Sequence, residues 1–220
     1  MTGPSTVNFK VLCPDLKEHS ACTTDSEAMM DLDLRQLNYD QWLRFVFDHP
    51  VTRIEDAWHF DIEYAADHDQ VLANCTQMFL KSKVLIGSFN AEQLEQGFWF
   101  IPGPNGFMRF LADEDVPWSR RQACIQSIES LFRECFSVMP PWMTSCYMWW
   151  DSYVSYCAFG NNELMTDERL LDETFRVLQA ILKQPEHCRR SAVHGLQHLE
   201  ALDTPLRQQV QAVLNGVAKM

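Results

Sequence analysis

Proline punctuation near the C-terminus restricts this chain to few folds. Gln184-Pro185 and Thr204-Pro205 separate the stretches 166–182, 185–201 and 204–217, in each of which apolar residues recur at helical spacing. Leu171, Phe175, Leu178 and Leu182 share one face of the first. In the second, Val193, Leu196 and Leu199 accompany the small residues Ala192 and Gly195. In the third, Leu206, Val210, Val213, Leu214 and Val217 follow the same period. The residue before proline resists the α region, whereas proline at a first helical position is favourable. Helices joined by so few residues must pack antiparallel to their neighbours. The expectation is an all-α fold, an irregular antiparallel helical array.

Upstream segments support the same fold class. Asn38, with Gln41 three residues on, has the form of a capping box and predicts a helix through Trp42, Leu43, Val46 and Phe47 that stops at His49-Pro50. Val71, Leu72, Cys75, Met78, Phe79 and Leu85 predict a long helix over 67–86, and Asn90 caps a shorter one containing Leu94. Ser119 and Gln122 predict a second capping box for a helix over 120–137, with Cys124, Ile128, Leu131 and Cys135 in one stripe. Residues 142–159 are apolar or aromatic nearly all round, the mark of a central buried helix, and Gly160-Asn161-Asn162 supplies its stop. Thr166 is the expected cap of the next helix, and Pro205 the expected start of the last.

Two segments fit less well. Residues 58–64 alternate apolar and polar, as a half-buried strand does. Residues 98–101 and 107–110 flank the turn Pro102-Gly-Pro-Asn-Gly106, as a minor hairpin or as helix ends around a break; the helices on both sides favour the second. Residues 1–33 show weak periodicity and are expected to be weakly ordered, leaving 34–220 as a single α-helical domain.

Composition narrows the classes of partner. The net charge of -12 repels phosphate backbones, and Arg120-Arg121 and Arg189-Arg190 are the densest basic runs, so no nucleic acid is expected. The same charge favours a basic protein partner. Residues 1–20 lack a basic start followed by an apolar run, and 142–159 is interrupted by Asp151 and several hydroxyl side chains. It falls short of the roughly 20 apolar residues a membrane span needs. A cytoplasmic protein with no membrane association is therefore expected. None of the eight cysteines forms a Cys-x-x-Cys pair, which predicts buried reduced thiols acting as small hydrophobes.

Candidate chemistry centres on histidines and one acid. On an ideal helix His187, His194 and His198 lie within about 40° of one another. His194-x-x-x-His198 is a spacing that can chelate a divalent metal. The glutamate of His-Glu-x-x-His is missing, and no acidic third ligand follows at a known spacing. The competing reading is a solvated stripe, or imidazoles hydrogen-bonded to a neighbouring helix, and no metal or other cofactor is assigned. Asp151, set between Trp149-Trp150 and Tyr153, is a candidate binding residue, because an isolated buried carboxylate is costly to ionise without a partner. A structural ion pair is its alternative role. His59, Asp61 and Glu63 would share one face if their segment is a strand. With no nucleophile elbow, no Gly-rich phosphate loop and no Cys-His pairing, no catalytic residue is assigned.

Arg190, Ala192, Val193, Leu196 and Leu199 are similar to the Arg-x-Ala-Val-x-x-Leu-x-x-Leu helices of HEAT-like repeat proteins. The stretch Ala192-Val-His-Gly-Leu-Gln-His198 resembles an Ala-[Leu/Val]-His-Gly-Leu-x-His segment of uncharacterised bacterial proteins. These resemblances imply a HEAT/armadillo-like α-solenoid and a bacterial, cytosolic protein, and they carry no activity. The expected function is a non-enzymatic protein–protein interaction module, for example an immunity-type protein binding a basic partner. A metal-binding enzyme or sensor using the histidine stripe is the alternative, and a structural scaffold subunit is the third.

Overall fold

The computed structural model describes residues 32–51, 62–140, 142–158 and 167–218, the side chains of 155–158 excepted. Its architecture is all-α: helices α1 (Tyr39–Phe47), α2 (His68–Leu80), α3 (Leu85–Ser88), α4 (Ala91–Phe100), α5 (Trp118–Glu134), α6 (Ser145–Ala158), α7 (Glu168–Ile181), α8 (Glu186–Ala201) and α9 (Arg207–Val217). Two short strands, β1 (Leu32–Asp33) and β2 (Tyr64–Ala65), pair in parallel, so the edge of the segment expected to be weakly ordered is tied down at Leu32 and Asp33. The expected strand over 58–64 overlaps β2 only at Tyr64. Its residues 58–61 lie outside the described residues, as do most of the N-terminal segment, Gly160-Asn161-Asn162 and Thr166.

Local signals set several helix starts. In α1 the Asn38 side chain accepts from the Gln41 backbone N–H while Gln41 accepts from the Asn38 N–H, each at 3.0 Å. Asn90 and Gln93 repeat this reciprocal cap at α4. Asp67 caps α2 and Asp167 caps α7.

Elsewhere the structure corrects the expected boundaries. The long helix over 67–86 is broken at Lys81, where a 3-10 turn (Ser82–Val84) leads into α3. Ser119 and Gln122 make no capping box, because α5 already begins at Trp118 behind Pro117. Pro205 sits in the turn before α9, one full turn resting on the Arg207 N–H to Thr204 carbonyl bond. The segment 98–110 is not a hairpin. Phe98 to Phe100 close α4, and a 3-10 stretch (Phe107–Ala112) follows the Pro/Gly turn.

The helices form two rows. α2 packs on α5 and α5 on α7, while α4 packs on α6 and α6 on α8; α1 adds to α4 and α9 to α8. Two of these neighbour pairs run in the same sense. Gln122 and Gln126 reach Glu173 while Gln184 reaches the Glu129 carbonyl, so α5 and α7 advance together. Cys146 meets Ser191 and Asp151 meets His194 and His198, so α6 and α8 do likewise. The helix between each such pair carries the chain back.

An aromatic core lies between the rows. Phe98, Phe132, Phe136, Trp149 and Trp150 are all at or below 1% exposure, with Phe132 to Phe136 centroids 4.8 Å apart and Phe98 to Phe136 4.9 Å, edge to face. Such rings bury large areas and gain from edge-to-face geometry, so they fix the position of α6 on both sides. Cys75, Cys124, Cys135, Cys146 and Cys188 are free and buried, as their apolar context predicts, and burial pushes the Cys135 thiol up to about 12. No helix among the described residues is long and apolar enough to cross a membrane.

Candidate metal centre

α8 approaches α6 closely because its facing residues are small. A Cβ on Gly195 would lie 2.7 Å from Trp150 Cγ and 2.7 Å from Leu178 Cδ2, well inside van der Waals contact. One turn earlier, Ala192 is fully buried and the Ser191 hydroxyl donates to the Cys146 carbonyl at 2.6 Å. Flanking this small-residue seam, His194 and His198 reach across to α6.

The start of α6 is fixed by a residue from another helix. Glu95 of α4 is 1% exposed, and its carboxylate accepts from the Thr144 N–H (2.7 Å), the Ser145 N–H (3.1 Å) and both hydroxyls (2.8 and 2.6 Å). Trp99 Nε1 donates to the same carboxylate at 3.1 Å. A negative side chain here satisfies orphan N–H groups and complements the positive end of the helix. Asp151 then falls less than two turns along α6.

Asp151, His194 and His198 converge. His194 Nε2 lies 2.6 Å from Asp151 Oδ2, His198 Nε2 lies 3.1 Å from Asp151 Oδ1, and the two Nε2 atoms are 3.4 Å apart. Among the described residues, these three form a group whose ligand atoms all lie within 4.8 Å of one another. The side chains are 20%, 28% and 28% exposed for His194, His198 and Asp151, so the group sits at the surface with one side open to solvent. Tyr147, one turn before Asp151, stacks on His194 with centroids 4.5 Å apart and planes within 12°.

These distances suit a small divalent ion. Bonds of about 2.0–2.2 Å in tetrahedral geometry place ligand atoms roughly 3.3–3.6 Å apart. The Nε2 to Nε2 separation already has this value, and 3.1 Å is close to it. Only the short His194 to Asp151 contact must open, by somewhat less than about 1 Å. Without an ion, each imidazole can donate an Nε2 proton to one Asp151 oxygen. To hold an ion, each imidazole would have to carry its proton on Nδ1 or lose it, since only a bare Nε2 can coordinate. Two imidazoles and a carboxylate favour Zn²⁺ and its transition-metal neighbours over Ca²⁺ or Mg²⁺, and three protein ligands leave a position for water.

The structure thus joins two candidates that the sequence kept apart. The acidic ligand missing downstream of the histidines comes from the preceding row neighbour, and the partner of Asp151 is a pair of imidazoles. His187 does not join them. It shares the stripe but lies about 10 Å below His194 along the axis, and it bonds the Phe136 carbonyl at 2.8 Å. His59 and Asp61 lie outside the described residues, and Glu63 stands in a stretch without regular structure.

Two polar features carried no sequence signal. One is Glu95, whose partners lie 49 and 50 positions away. The other is a surface pair in which His68 Nδ1 meets Asp113 Oδ2 at 2.5 Å while the His68 ring stacks on Phe110 at 3.8 Å. The His68 hydrogen bond holds the Asp113 carboxyl below the usual carboxylate range. No family model, curated protein or solved structure matches this chain, so the reading of the site rests on its own geometry.

Proposed function

We propose that this protein binds a divalent transition-metal ion, Zn²⁺ first among them, through Asp151, His194 and His198. The observation that carries the reading is the convergence of three ligand atoms from two adjacent, packed helices within 4.8 Å. A chance surface trio would draw on mobile side chains. Here Gly195 and the buried Trp150 hold the two backbones together. With two neutral ligands and one anionic ligand the ion keeps an exchangeable position, the arrangement of catalytic and sensing sites rather than of closed structural ones.

The test is titration of chelator-stripped protein with Zn²⁺, Co²⁺ and Mn²⁺ by calorimetry, with elemental analysis after desalting. One equivalent of Zn²⁺ is expected for the native chain, and a large loss of affinity for Asp151→Ala, His194→Ala and His198→Ala. Absence of stoichiometric metal, or retention of it by all three variants, would sink the reading. A role in binding a basic protein, supported by the net charge of -12, is compatible with a metal site. Native co-purification at low and high salt tests it, since an electrostatic complex weakens with ionic strength.

A further inference from the structure

We propose that Tyr147 is a positioning residue of the metal centre, holding His194 in its coordinating orientation and making His194 with Asp151 the preformed half of the site. This rests on the metal-binding reading above. The two histidines are held unequally. His194 is fixed on two sides, by the parallel Tyr147 ring and by the 2.6 Å contact to Asp151. His198 has the longer 3.1 Å contact to Asp151 and meets His194 edge to face, with centroids 4.7 Å apart and planes at 72°.

Metal loading must break the Nε2 hydrogen bond that orients His194 in the free protein. At that moment the ring stack is the contact that keeps the imidazole from turning away. Tyr147 is otherwise ill-suited to a packing role, because it is 46% exposed while Trp149, Trp150 and Tyr153 of the same helix are buried. Its neighbour on α8 is the imidazole itself. The stack uses the ring face and not the phenol hydroxyl, so phenylalanine should serve as well.

The experiment compares Zn²⁺ affinity, by competition with a fluorescent chelator, and the visible spectrum of the Co²⁺-loaded protein, for native chain, Tyr147→Phe and Tyr147→Ala. Tyr147→Phe is expected within twofold of native, with the same Co²⁺ bands. Tyr147→Ala is expected to weaken Zn²⁺ by about fivefold, the scale of one aromatic pair, chiefly through faster release and with altered Co²⁺ bands. Thermal unfolding of the metal-free variants should stay near native, which separates positioning from folding. If the native chain binds Zn²⁺ and Tyr147→Ala binds equally well, the role of Tyr147 is overturned while the metal site stands. An equal loss in Tyr147→Phe overturns the stacking argument, because the hydroxyl would then be the contributor. A native chain that takes up no metal overturns both.

Discussion

Replacing Gly195 by alanine adds one methyl group at the closest approach of α6 and α8. That methyl would sit 2.7 Å from Trp150 Cγ and 2.7 Å from Leu178 Cδ2, where ordinary contact begins near 3.4 Å. Leu178 is fully buried and has little room to turn, and Trp150 is held by Phe132 at 5.7 Å and Tyr153 at 5.5 Å. Overpacking of this kind costs about 1–3 kcal/mol, against a gain of about 1 kcal/mol from replacing glycine within a helix. The net expectation is a loss of up to roughly 2 kcal/mol, or up to about 8 °C for a chain of this size. Gly216 provides the control, since nothing lies within 4 Å of the position its methyl would take near the exposed end of α9. There the same substitution should stabilise by up to about 1 kcal/mol. Urea denaturation followed by circular dichroism, with metal-free protein, measures both. If Gly195→Ala proves as stable as Gly216→Ala, the close approach of α6 and α8 is wrong, and with it the frame of the proposed metal centre.

Further outcomes can be checked separately. Glu95→Ala strips the cap from α6 and leaves buried donors unpaired, which should cost about 3 kcal/mol in the same denaturation assay. Saturating Zn²⁺ should raise the stability of the native chain by about 2.7 kcal/mol at a hundredfold excess over Kd, and should leave Asp151→Ala unchanged. His49 is 6% exposed and burial pushes its imidazole down to about 4, so it stays neutral in the fold while the unfolded chain protonates near 6.5. The unfolded state then binds more protons between these values. The His49 contribution is complete above pH 6.5 and falls, by up to about 3 kcal/mol, as the pH drops toward 4. His49→Gln should flatten that slope in denaturation curves taken across the window.

How far the fold could be read from the sequence depended on the range of the interaction concerned. Asn38 with Gln41 caps α1 across three residues and was readable as written, as was Asn90 as the cap of α4. The break at Lys81 was not, because Val84 and Leu85 continue the apolar spacing of α2 while Val84 in fact stands 66% exposed. Ser119 misled because a local pattern was already overtaken by Pro117, which starts α5 earlier. At the site, the spacing of His194 and His198 and the isolation of Asp151 were each visible. Their meeting was not, since it depends on α6 and α8 running side by side with α7 between them in the chain, and on a glycine whose value lies in the tryptophan opposite.

The buried Glu95 cap has a consequence for the order in which this chain can assemble. α6 opens on donors that Glu95 of α4 satisfies, so residues 142–158 excised as a peptide would lack that cap. α6 is a conditional helix, stable once α4 has docked. Because Asp151 rides on it, the meeting of Asp151 with His194 and His198 depends on a burial event less than two turns away, at the start of the same helix. Any unfolding that frees Glu95 should dismantle the centre before it disturbs the histidines on α8.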